Sequence, residues 1–183
     1  MDALLSSFSL VALGEIGDKT QLLTLALILR YRRPWPILAG IVIATLVNHG
    51  LSVWLGVWLS TAIPAMALQW LLALSFIALG LWMLIPDKDE SLDKPPRFGP
   101  FITALVLFFI AEIGDKTQLA TVALAVQFPE AFWAVLVGTT LGMVAANVPV
   151  IWLGHKVTNP AIEIWAHRLS ALAFIGFGLW VLL

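Results

Sequence analysis

The stretch Gly14-Glu15-Ile16-Gly17-Asp18-Lys19-Thr20-Gln21-Leu22 places two carboxylates and an ammonium inside an apolar run, residues 4–29. It returns as Ala111-Glu112-Ile113-Gly114-Asp115-Lys116-Thr117-Gln118-Leu119 inside a second run, residues 101–128, 97 residues further on. Glu15 and Glu112 are each the twelfth residue of their runs, near the middle. Three charges at the centre of a membrane helix cost roughly 8 to 10 kcal/mol before pairing or neutralisation. A purely structural charge network hardly accounts for incurring that cost twice.

The repeat extends beyond the motif. Trp54-Leu55-Gly56 recurs as Trp152-Leu153-Gly154, 98 residues on. Phe76-Ile77 and Gly80-Leu81-Trp82 recur at the same offset as Phe174-Ile175 and Gly178-Leu179-Trp180. Asn48 and Asn147 lie in corresponding runs, 99 apart. Composition says what kind of protein repeats in this way. Of 183 residues, 61% are hydrophobic and 11% charged, against about 25% charged in a soluble domain. A formal net charge of -1 supplies no basic field for phosphate backbones. A soluble enzyme, a disordered chain and a nucleic-acid binder are thereby excluded, and the partner implied is a lipid bilayer. No cysteine is present, which removes thiolate chemistry and thiolate metal sites. The N-terminus lacks the basic region of a cleavable signal peptide.

Six apolar runs are expected to be transmembrane helices: 4–29, 35–59, 67–85, 101–128, 131–154 and 164–183. Nine of the ten prolines fall at or between run ends, and Pro149 alone lies inside one. The fold expected is therefore an all-α membrane protein of two three-helix halves, 1–86 and 101–183, joined by a cytoplasmic linker, 87–100. Eight basic residues (Arg30, Arg32, Arg33, Lys88, Lys94, Arg97, Lys156 and Arg168) sort to one side of this arrangement. The excess of positive charge inside puts loops 1–2, 3–4 and 5–6 in the cytoplasm and both termini outside. Three spans per half is an odd number, so the second half enters the membrane from the opposite side. Inverted repeats of this kind recur in secondary transporters, with the binding site between halves.

Read as continuous helices, the motifs align Glu15 with Asp18 and Gln21, and Glu112 with Asp115 and Gln118, on one face each. Lys19 and Lys116, four residues after the glutamates, are placed to pair with them. Gly17 and Gly114 allow close helix approach or a local break that exposes carbonyls. If the stripes face each other, four carboxylates and two lysines leave a net charge suited to one divalent cation. Oxygen donors suit Ca²⁺, Mg²⁺ and Mn²⁺, and the absence of His and Cys from the motifs argues against zinc or copper. Thr20, Thr117, Gln21 and Gln118 fit either ligation or hydrogen bonding between helices. Asn48 and Asn147 are candidates for a supporting role. The lysines serve either charge compensation or coupling. His49 reads as a packed histidine, and His155 and His167 as solvated at loops. No catalytic residue and no resident cofactor are expected.

The doubled Glu-x-Gly-Asp-Lys/Arg-Thr/Ser motif in two three-span halves resembles the transmembrane protein 165 family, also called uncharacterised protein family 0016. Both copies match without departure. The resemblance implies an exchanger of Mn²⁺ or Ca²⁺ for protons, with Glu15, Asp18, Glu112 and Asp115 as the cation site. It also implies similarity to the manganese exporters of prokaryotic inner membranes. Export of Mn²⁺ against protons is the leading reading, with Ca²⁺/H⁺ exchange as the main alternative. A passive cation channel is a further class. An intramembrane aspartyl protease fits poorly, because Glu15 and Glu112 stand where those enzymes have glycine. All four carboxylates lie in one chain, so a monomer suffices, and a homodimer is compatible.

Overall fold

Gly17 and Gly114 adopt positive φ, +83° and +75°, a left-handed conformation that glycine takes without steric cost. Each is the middle of three residues that separate one helix from the next, so two of the six apolar runs are not continuous helices. The computed structural model describes residues 2–85, 98–153 and 160–183, and its described residues contain no strand. The first run divides into α1 (Asp2–Glu15) and α2 (Lys19–Tyr31), and α3 (Pro34–Ala62) and α4 (Ala65–Met83) follow. The fourth run divides into α5 (Pro100–Glu112) and α6 (Lys116–Gln127). A short 3-10 turn, Pro129–Ala131, leads into α7 (Phe132–Leu153), and α8 (Pro160–Val181) closes the described chain. Pro34 and Pro100 each open a helix, where a missing N–H costs nothing. α7 runs unbroken through Pro149.

Four segments are long and apolar enough to cross a membrane: Pro34–Ala62, Ala65–Met83, Pro129–Leu153 and Ile164–Val181. Pro100–Glu112 is a shorter apolar helix. Large hydrophobic side chains are exposed over much of the surface, among them Trp35, Trp58, Trp70, Trp133 and Trp152. An apolar exterior of this extent suits lipid rather than water.

α1 packs along α7, α3 along α5 and α6, and α4 along α8. Glycines make the closest crossings. A Cβ on Gly40 would lie 2.7 Å from the Phe101 carbonyl and 2.8 Å from the Ala104 Cβ. One on Gly138, 98 residues later, would lie 2.7 Å from the Leu4 carbonyl and 2.9 Å from the Ser7 Cβ. Leu4 and Ser7 precede Phe101 and Ala104 by 97, so the two crossings repeat contact for contact. The pattern also gives direction. Along α3, Gly40 meets Phe101 and Gly56 meets Val122, so α3 runs parallel to α5–α6. Gly138 meets Leu4 and Gly142 meets Phe8, so α7 runs parallel to α1. Gly80 meets Ala171 and Gly178 meets Ala73, so α4 and α8 are antiparallel.

The apolar core between these helices is built on Val53, Phe76, Leu124, Met143 and Phe174. A second cluster gathers Leu27, Ile37, Ile41, Phe108 and Ile151. Together they fix the helix pairs that carry the broken segments. The boundaries differ from those expected at one place that matters. α8 begins at Pro160, so His167 and Arg168 lie on the helix rather than in a loop, with Arg168 stacked over Trp165 at 5.5 Å. Most of the linker, His155 and Lys156 fall outside the described residues.

Candidate cation site

Because the chain is not helical from Ile16 to Asp18, spacing rules drawn for a continuous helix do not hold across the motif. Glu15 is the last residue of α1, and Asp18 caps α2 in extended conformation. Glu112 and Asp115 repeat this at the α5–α6 break. The acidic groups thus sit where carbonyl ends of one helix meet the amide end of the next. Each aspartate gains from the positive pole of the helix it caps.

Glu15, Glu112 and Asp115 converge, one carboxylate oxygen of each lying within 4.8 Å of the others, and all three are buried. Oxygens on opposite sides of a cation with bonds of about 2.3 to 2.6 Å are separated by a similar distance. Asp18 is also buried but stands outside this trio, so three of the four expected carboxylates come together. The two glutamates differ sharply. Glu15 accepts hydrogen bonds from Thr20 Oγ1 at 2.7 Å and from Thr117 Oγ1 of the other motif. Neither oxygen of Glu112 has a hydrogen-bond partner among the described residues. A buried carboxylate without donors calls for a cation or a proton.

The lysines depart from the expected pairing. Lys19 Nζ lies 3.1 Å from Asp115 Oδ1, across the two motifs, rather than on its own Glu15. Lys116, fully buried, donates to the Ile85 carbonyl at 3.3 Å and sits 5.9 Å from the Trp82 ring centre. Gln21 Oε1 accepts the Gly17 amide at 2.9 Å, and Gln118 Oε1 accepts the Gly114 amide at 2.6 Å. Each glutamine therefore satisfies the N–H that its own break releases. Gln21 Nε2 also donates to the Ala146 carbonyl of α7 at 2.7 Å.

Asn48 Nδ2 donates to the Phe109 carbonyl in the last turn of α5, at 3.1 Å. Asn147 Oδ1 accepts from Thr24 Oγ1 at 2.6 Å. Thr24 was not singled out by the sequence reading. Its recurrence as Thr121, one turn beyond each glutamine and 97 residues apart, is the signal that finds it. The glycine crossings also change one correspondence. At the 98-residue offset of α3 and α7, Asn147 matches His49, not Asn48, so His49 has a counterpart. It is fully buried, with both ring nitrogens lacking a partner among the described residues. His167 is not a loop residue: its Nδ1 lies 2.8 Å from the Met83 carbonyl.

With this geometry in place, comparison with known proteins is direct. A family model described as "Divalent cation/proton antiporter GDT1" matches residues 3–91 and 100–183. The chain belongs to the GDT1 family. A Vibrio cholerae serotype O1 protein named "Putative manganese exporter" is 51% identical over 154 residues, 84% of this chain and 77% of that one. A GDT1-like protein of Synechocystis is 27% identical over 97% of this chain and 95% of its own. GDT1-like protein 4 of Arabidopsis thaliana is 35% identical over 82 residues, 45% of this chain and 35% of that protein. No solved structure matches. Membership makes this an integral membrane protein of a cation-transporting family. Both GDT1 motif copies lie within the matched ranges.

Proposed function

We propose that the protein exports a divalent cation, Mn²⁺ foremost, in exchange for protons, by alternating access to a site formed by Glu15, Asp18, Glu112 and Asp115. The observation that carries the reading is Glu112, buried and without hydrogen-bond donors among the described residues, beside Glu15 and Asp115. A cation bridging the trio, or a proton on Glu112, relieves that cost. Two occupants competing for one set of oxygens is the minimal chemistry of exchange. The family's description and the printed name of the Vibrio relative support the choice of cargo. Oxygen donors alone suit Mn²⁺ and Ca²⁺ alike.

The halves, 1–86 and 101–183, are of inverted topology in this reading. The run directions support it: six alternating spans require the first to parallel the fifth, the second to parallel the fourth, and the third to oppose the sixth. With the basic residues on the cytoplasmic side, this reading has both termini outside a prokaryotic inner membrane. Glu112→Gln keeps size and removes the charge. Purified protein in proteoliposomes with a pH gradient is expected to accumulate Mn²⁺, and the variant to lose at least about tenfold in rate, the effect of about 1.4 kcal/mol. Wild-type rates in Glu112→Gln would refute the site.

A further inference from the structure

The last carbonyls of a helix have no partner within it, and a break in the membrane exposes them where no water serves. In the second motif, Asn48 of α3 meets this need at Phe109. In the first, the donors come from α8. Ser170 Oγ donates to the Leu13 carbonyl in the last turn of α1, sharing its proton with Ala166. The His167 ring lies between two carbonyls, with Nδ1 2.8 Å from that of Met83 and Nε2 3.3 Å from that of Gly17 in the break; a neutral ring donates to one of them and a protonated ring to both. Ser170 is buried and His167 half-buried.

Part of this belongs to the repeat. Gln69 stands 98 residues before His167 and donates to the Val181 carbonyl at 3.0 Å, as His167 meets Met83, 98 residues before Val181. The reach to the break does not repeat. Leu72, the counterpart of Ser170, has no donor, and Gln69 makes no contact with Gly114 among the described residues. The first motif is thus tied to α8 through backbone carbonyls of α1 and of the break, whereas the second is tied to α4 differently, through Lys116 to the Ile85 carbonyl and the Trp82 ring.

We infer that His167 and Ser170 are positioning residues for the cation site: they anchor the α1–α2 break to α8 and so hold Glu15 in register with Glu112 and Asp115. Neither touches the acidic cluster, and both act through the Leu13 and Gly17 carbonyls. The inference rests on the transport reading above, and its test separates the two.

The chain as it stands, reconstituted in liposomes, is compared with His167→Gln, His167→Leu and Ser170→Ala. His167→Leu removes the polar ring that bridges the end of α4 and the break, and Ser170→Ala removes the donor to the last turn of α1, so KM for Mn²⁺ should rise about five- to tenfold with Vmax little changed. His167→Gln retains amide donors, as Gln69 does, and should restore KM to within about twofold of wild type. Hydrogen exchange provides an arm independent of transport. The amides from Ile16 to Lys19 should exchange faster in His167→Leu and Ser170→Ala, and those around Gly114 should not. Lower thermal stability with unchanged KM and unchanged exchange at Gly17 would overturn the inference, reducing both residues to helix packing. A wild-type protein that moves no Mn²⁺ would instead sink the transport reading and leave the exchange result to decide the anchoring.

Discussion

One residue type in one motif position finds two settings. Lys19 crosses to Asp115 of the other copy, and Lys116 reaches the end of α4. Sequence gives both lysines the same neighbours, and only the packing of the halves separates them. The Lys19–Asp115 pair has one member that is buried and one partly exposed. Removing the ammonium leaves Asp115 in a low-dielectric site with less compensation. Lys19→Gln should therefore destabilise the protein by about 1 to 3 kcal/mol, discounted from a fully buried pair by the exposure of Lys19. A divalent cation supplies the missing charge, and a ligand stabilises in proportion to its preference for the folded state. Added Mn²⁺ should accordingly raise the melting temperature more in Lys19→Gln than in the wild type, measured in detergent. Equal Mn²⁺-induced shifts in the two proteins would remove Lys19 from the site's charge balance.

At the scale of elements, the two helix breaks decide where the carboxylates can go. Gly114 isolates the cause, because a Cβ there meets nothing within 4 Å while φ is +75°. Gly114→Ala therefore strains only the backbone, and is expected to cost about 1 to 2 kcal/mol with loss of Mn²⁺ transport. Gly50 gives the opposite sign. It too has open space around it, but within the regular helix α3, and Gly50→Ala should stabilise by about 0.5 to 1 kcal/mol. Chemical or thermal unfolding of both variants checks the pair, and a stabilising Gly114→Ala would contradict the left-handed break. These breaks also mark where sequence reading stopped. Apolar residues continue on both sides of Gly17 and Gly114, so hydropathy reads one long span at each. Glycine permits a break without announcing one. The acids, their duplication and the glycines were legible. The partners of Lys19, the exclusion of Asp18 from the trio and the contact of His167 with the end of α4 were not. Each of these depends on a backbone turn or on contact between distant halves, which no local period encodes.

Over the whole molecule, repetition at the crossings coexists with asymmetry at the site. The Gly40 contact of α3 with α5 and the Gly138 contact of α7 with α1 correspond residue for residue, but burial along the broken second helices does not. Ala123 and Val126 of α6 are buried against the bundle, whereas their counterparts in α2, Ala26 and Leu29, are exposed. α6 is clamped onto α3 where Gly56 lets it approach: a Cβ on Gly56 would lie 2.5 Å from the Val122 carbonyl and 2.6 Å from the Ala125 Cβ. α2 meets α7 through Gln21 and Thr24 near its start. Alternating access as proposed above requires one half closed while the other is open, and the difference between α2 and α6 is compatible with it. Gly56→Ala drives a wedge into the closed contact alone. Overpacking of this kind costs about 1 to 3 kcal/mol, enough to change the ratio of two conformers about five- to a hundredfold. The expected result is faster hydrogen exchange along α6, with α2 and the α4–α8 pair unchanged, because no contact of either involves Gly56. Unchanged exchange in α6 would mean that the α3–α6 contact is not a gate. Equal acceleration across all helices would mean that Gly56→Ala weakens the fold as a whole.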